Sequence, residues 1–153
     1  MQRKDKLIYT LLLLGCIPLG YALWLYLHPA KIVAVHQDAN FSSVLVKNFP
    51  LTDQGKISWW LENKDMLKKN YGIPKPASYG SFTINFWDFG DGYKNEGKLD
   101  RRCFDDIKNN TKCIDKNLLF SVKRIKHEQL LFIVYQGGNY RLEENKLIGI
   151  KDK

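Results

Sequence analysis

Leu7-Ile8-Tyr9-Thr10-Leu11-Leu12-Leu13-Leu14-Gly15-Cys16-Ile17-Pro18-Leu19-Gly20-Tyr21-Ala22-Leu23-Trp24-Leu25-Tyr26-Leu27 runs for twenty-one residues without a charge, directly behind the basic start Arg3-Lys4-Asp5-Lys6. As a helix rising ~1.5 Å per residue it spans ~30 Å, the thickness of a bilayer's hydrocarbon core. A buried helix of a soluble domain would carry a polar face, and this run has none. Everything after it must therefore lie on one side of a membrane.

Three fates of the segment compete. An uncleaved signal anchor is favoured by the length, the basic flank and the interfacial aromatics, Tyr9 at one end and Tyr21, Trp24 and Tyr26 at the other. Pro18, Gly15 and Gly20 are tolerable inside a spanning helix. Cleavage after Gly20-Tyr21-Ala22 would leave Leu23 to Leu27 as an exposed apolar N-terminus. Leu13-Leu14-Gly15-Cys16 resembles a bacterial lipobox and keeps lipidation of Cys16 open, although Leu14 is bulky and the apolar run continues beyond the cysteine. Arg3, Lys4 and Lys6 outweigh His28 and Lys31 across the span, so residues 1–6 are expected in the cytoplasm, 7–27 in the bilayer and 28–153 outside.

The segment from His28 to Lys153 is long enough for one compact domain and short for two. Net charge falls from +8 to +6 once the three bases and one acid ahead of the span are set aside. The remaining bases are interspersed with acids rather than clustered among stacking aromatics, which speaks against a nucleic-acid partner. Cys103 and Cys113, nine residues apart, are the only cysteines of this part, and in an oxidising compartment they are expected to form a disulfide.

β-branched runs at Lys31 to Val35 and Ser43 to Val46, with a turn at Gln37 to Asn40 between them, read as two strands. Thr52 or Asp53 caps a helix reaching about Tyr71, with Gly72 and Pro74 ending it. Ile57, Trp60, Leu61, Leu67 and Tyr71 fall near one face. Phe82, Ile84 and Phe86 alternate as on the buried side of a strand. A polar loop follows, and then three strands (Leu118 to Lys126, Leu130 to Tyr135, Tyr140 to Leu142) form a meander, to which Leu147 to Ile150 adds an edge. The fold expected is α+β: an N-terminal transmembrane helix, then a small domain with a mostly antiparallel sheet packed by one main helix.

Asp88-Phe89-Gly90 matches the metal-binding triplet of protein kinases, but the Gly-rich loop, the paired lysine and the catalytic loop are missing. Asp88 and Asp91, with Asp100, Asp105 and Asp106 downstream, lack the twelve-residue calcium-loop spacing, and local turn chemistry accounts for them. His28, His36 and His127 lack metal-site spacing. Pairing Cys103 with His127 as nucleophile and base requires a free thiol that Cys113 would consume. No catalytic residue, metal or cofactor is therefore assigned.

Val33-Ala34-Val35-His36, Val46-Lys47-Asn48-Phe49-Pro50-Leu51-Thr52-Asp53, Trp59-Trp60-Leu61-Glu62-Asn63-Lys64, Tyr71-Gly72-Ile73-Pro74-Lys75-Pro76, Phe86-Trp87-Asp88-Phe89-Gly90-Asp91-Gly92-Tyr93-Lys94 and Cys103-Phe104-Asp105-Asp106 occur in this order. Together they resemble the enterobacterial membrane-protein family called domain of unknown function 943, a likeness covering nearly the whole chain. It implies a short inner-membrane protein with one N-terminal span and brings no functional residues. The expectation is a non-enzymatic single-pass protein, anchored in the lipid bilayer, whose periplasmic domain binds an unidentified protein, an immunity-type inhibitor of a periplasm-acting toxin being one form. Trp59, Trp87, Asp88, Asp91 and Tyr93 are the expected contacts. The alternatives are an envelope enzyme or metal-binding module around Asp88, Asp91, Asp105 and Asp106, and an envelope assembly factor.

Overall fold

The computed structural model describes residues 2–151; Met1, Asp152 and Lys153, the outermost residues of the expected segments, lie outside them. Helix α1, Gln2–Leu27, extends the apolar run by five residues into the basic start, and none of its residues is buried. It is the one helix among the described residues long and apolar enough to cross a membrane. The Thr10 hydroxyl, in its N-terminal half, is satisfied within the helix by the Lys6 carbonyl at 2.8 Å.

Strands β1 (Lys31–Asp38) and β2 (Phe41–Lys47) form a hairpin; β1 runs three residues beyond its β-branched run, and β2 extends its own at both ends. Helix α2 (Asp53–Tyr71) then carries the chain across to β3 (Phe82–Asp88). Thr52 caps α2 by accepting from the Gly55 N–H, and Gly72 closes it in a left-handed conformation, φ 67°. Because α2 returns the chain to the starting end, β3 pairs with β2 in parallel, Phe41 beside Thr83 through Val46 beside Asp88. This βαβ crossover was not expected from sequence. The short β4 (Arg101–Cys103) and β5 (Cys113–Asp115) pair separately, and β6 (Leu118–Arg124), β7 (Leu131–Val134), β8 (Asn139–Glu143) and β9 (Lys146–Ile150) complete a seven-stranded sheet in the order β1-β2-β3-β6-β7-β8-β9. The fold is α+β and the sheet antiparallel except at β2–β3, as its patterning implied.

Strand β2 is buried from Ser42 to Val46, which means the sheet is covered on both sides there. Val44 and Val46 face α2 in the main core with Ile57, Trp60, Leu67, Phe82, Ile84, Phe86, Phe120 and Phe132. Leu45 faces the other way, into a smaller core with Trp87, Phe104 and Ile114. Two residues of α2 depart from the helical periodicity. Tyr71 is 43 % exposed as the last helical residue before the chain turns away at Gly72, whereas Lys56 is buried and donates through Nζ to the Leu51 carbonyl at 2.8 Å. Burial pushes the Lys56 ammonium down, and the nearby Asp53 charge works in the opposite direction.

The N-terminus of α2 is tied to the β7–β8 turn. Asp53 Oδ2 accepts from the Tyr140 hydroxyl at 2.6 Å and the Gly138 N–H at 2.9 Å. Those two hydrogen bonds hold the Asp53 carboxyl below its ordinary range and push the Tyr140 phenol up. A side chain at Gly137 would run into the Asp53 carboxylate and the Val134 side chain, so the turn closes only around glycine.

Candidate functional site: a disulfide-braced flap beside strand β1

The polar stretch from Phe89 to Asn117, expected as a loop, folds into a flap over β1–β3. Its frame is the β4–β5 pair, in which Cys103 stands opposite Cys113 and the two are joined by a disulfide. Lys94 bridges β5 by backbone bonds to Cys113 in both directions. Between Phe86 and Trp87 the β3–β6 register shifts, Phe86 pairing with Phe120 and Trp87 with Leu118, so that Leu119 of β6 is the extra residue. As neighbours along a strand, Phe86 and Trp87 point to opposite sides of the sheet: Phe86 stacks between Phe49 and Phe120, and Trp87 enters the flap core. Ion pairs line the flap's outer rim, the shortest joining Lys94 to Asp115 at 2.6 Å. That contact raises the Lys94 ammonium and lowers the Asp115 carboxyl.

Where the flap meets β1, three side chains form one hydrogen-bonded chain. His36 Nδ1 lies 2.6 Å from Asp106 Oδ2 and His36 Nε2 lies 2.8 Å from the Tyr93 hydroxyl. A carboxylate only accepts, so the Nδ1–H donates to Asp106; in the neutral ring Nε2 is then the acceptor and Tyr93 donates. The Phe104 ring stacks on the imidazole at 4.1 Å between centroids. Burial, with the Asp106 charge adding to it, pushes the Tyr93 phenol up. Hydroxyl, imidazole and carboxylate stand in the order of a nucleophile, its base and an orienting acid. The two hydrogen bonds clasp His36 of β1 to Asp106 and Tyr93 of the flap, 70 and 57 positions away.

Beside the clasp a cavity of about 190 Å³ opens between the β1–β2 hairpin and the flap, lined by His36, Asp38, Phe41, Arg102, Phe104 and Asp106 among others. Small-molecule sites usually occupy ~300–1,000 Å³. This cavity is the size of one inserted side chain. Phe41 stands at its mouth, 51 % exposed, and Asp38 has no ion-pair partner among the described residues. Arg102 lies across Phe104, 5.5 Å from the ring centroid, with its Nε buried and unpartnered.

The residues singled out from sequence are not gathered here. Trp59 lies on the α2 side, partly buried with its ring edge-on to Phe49 and Phe86. Trp87 is 6 % exposed and supports the flap from beneath, so the indole, expected as a contact, is not on the surface. Asp88 accepts from the Gly90 N–H at 3.3 Å, the local turn bond that its sequence context implied. Asp91 is exposed, 3.5 Å from Lys94. Tyr93 alone reaches the cavity's edge, through His36. Asp88 aligns with Val46, while Asp106 binds His36, which aligns with Ser43, so along β2 the two acids are three residues, ~10 Å, apart. Among the described residues no group of three or more His, Cys, Asp or Glu is arranged to hold a metal ion. His36, Phe104 and Arg102 were missed as site residues, and Asp106 was named only for the enzyme or metal-binding alternative. The one available signal was the alternation of β1, which a bulge between Ile32 and Ala34 obscures.

A family model described as "Enterobacterial putative membrane protein", domain of unknown function 943, matches residues 1–151. The chain belongs to this family. No curated protein and no solved structure matches. Membership agrees with the spanning length of α1, and the match extends over the sheet, α2 and the flap alike.

Proposed function

We propose that this family member is a non-enzymatic, single-pass membrane protein whose exported domain binds another protein through the β1–β2 hairpin and the flap. The observation that carries the reading is the side-chain-sized cavity with an exposed aromatic, Phe41, at its mouth and an unpaired carboxylate, Asp38, on its wall. Such a notch suits a basic side chain projecting from a partner: the carboxylate supplies the charge and Phe41 a face for the cation. The disulfide and the His36 clasp hold the notch in shape before binding, which lowers the ordering cost of association.

The periplasm is the compartment that fits. The bases ahead of the span favour a cytoplasmic N-terminus, and the Cys103–Cys113 bridge belongs to an oxidising space. An immunity-type inhibitor of a periplasm-acting toxin is one form of this role, in which the tether would keep the inhibitor at the membrane surface. Crosslinking in intact cells, followed by purification of the full-length chain, tests the surface. Asp38→Lys and Phe41→Ala should each remove the crosslinked partner while leaving chain abundance unchanged. Undiminished recovery with both variants would place the contact elsewhere.

A further inference from the structure

Helix α1 ends close to the domain. The His28 N–H donates to the Trp24 carbonyl at 2.9 Å, and the His28 ring stacks on Trp24 at 5.0 Å, so the helix is spent at His28. Tyr21, Trp24 and Tyr26 mark the level of the membrane interface. Only His28, Pro29 and Ala30 separate Leu27 from β1, and Ala30 already packs against the main core. The four Cα–Cα steps from Leu27 to Lys31 reach at most ~14 Å, against a headgroup layer of ~5–7 Å on each side of the hydrocarbon. The end of the sheet that carries Lys31 is thereby held beside the membrane surface.

The register identifies what lies at that end. Lys31 pairs with Lys47, and directly beyond Lys47 the chain enters the loop to α2, where Leu51 is 71 % exposed. Lys31 and Lys47 are exposed and have no ion-pair partner among the described residues; Lys47 lies over the Phe89 ring at 5.4 Å. The nearest acids of this rim are occupied, Asp88 with the Gly90 N–H and Asp91 with Lys94.

We propose that the rim formed by Lys31, Lys47 and Leu51 docks on anionic phospholipid, the leucine entering the headgroup layer and the two ammonium groups meeting phosphate. A leucine so exposed gains from leaving water, and lysines near an anionic surface add to it. Docking fixes the domain's tilt and turns the far end of the sheet, with the β1–β2 turn and Tyr79, away from the bilayer. The inference rests on α1 crossing the membrane and is independent of what the flap binds.

Spin labels on the full-length chain in nanodiscs test it. Native Cys16 labelled in the otherwise unchanged protein reports on the span, and Leu51→Cys or Tyr79→Cys in a Cys16→Ser background reports on the two ends of the sheet. With phosphatidylglycerol-containing discs, the label at 51 should be shielded from a water-soluble nickel relaxant and exposed to oxygen, and the label at 79 the reverse. Each lysine near an anionic surface is worth about fivefold, so Lys31→Glu with Lys47→Glu should shift the docking equilibrium constant by about 30-fold or more, and phosphatidylcholine discs should act in the same direction. A label at 51 as open to nickel as that at 79, or shielding indifferent to both lipid charge and the lysine reversals, overturns the docking. A nickel-accessible label at Cys16 would instead refute the span.

Discussion

The two faces of the sheet are covered in different ways. On one, α2 lays Ile57, Trp60 and Leu67 onto a continuous core of phenylalanines, and a helix caps at both ends fix its length. On the other, a flap containing six acids and seven bases sits over only a few apolar residues, Leu45, Trp87, Phe104 and Ile114, and is held by one disulfide and one hydrogen-bonded clasp. The first side holds the fold together mainly by burial, with the Asp53 hydrogen bonds fastening one end of α2. The second has too little apolar area for that and relies on cross-links, which leaves its outer surface free to be polar and shaped for contact.

That contrast can be broken most severely from the α2 side. Phe86→Ala opens a cavity among Phe49, Trp59 and Phe120 and should cost about 3–5 kcal/mol in denaturant unfolding, enough to prevent folding of a marginal domain. Replacing Cys103 and Cys113 together by alanine removes a cross-link over a sequence separation of 10 and should cost about 2–3 kcal/mol. Far-UV circular dichroism of this variant should keep the α2 signal, with faster hydrogen exchange confined to the flap.

Asp53→Asn weakens the tie between α2 and the β7–β8 turn and should cost about 1–3 kcal/mol, the usual worth of a hydrogen bond to a charged group. Its pH dependence has a defined sign. The folded-state carboxyl lies below its ordinary value of 3.8, so the stabilisation is complete above that value and is lost as pH falls through the folded value. Thermal melts of wild type and Asp53→Asn should therefore converge in strong acid and differ near neutrality. Tyr93→Phe, the mildest change, removes one neutral hydrogen bond from the clasp and should cost about 0.5–1.5 kcal/mol, visible as a local loss of protection around Phe104.

The same contrast explains what was legible in the sequence. Membrane span, α2 with its Thr52 and Gly72 caps, and the β6 to β9 meander are written in local patterns of charge, periodicity and turn residues, and they are found where those patterns put them. The parallel β2–β3 pairing is not local, since only the direction in which α2 returns the chain decides it. The flap is less legible still. Its strands are three residues long, too short for alternation to show, and its clasp joins His36 to Asp106 across 70 positions. Trp87 is a bulky aromatic beside an acidic turn, which suggests a contact, and the flap residues Phe104 and Ile114, whose strands leave no pattern in the sequence, bury it. Asp88 behaved as its glycine-rich context implied because turn chemistry is local.

The most direct measurement of a division between a folding face and a contact face is site-specific photocrosslinking in living cells, with the crosslinker at Phe41 beside the notch or at Ser58 on the exposed side of α2. Crosslinks to one partner from Phe41, abolished by Asp38→Lys and absent from Ser58, are the expected result. Equal crosslinking from both positions, or crosslinking from Ser58 alone, would contradict it.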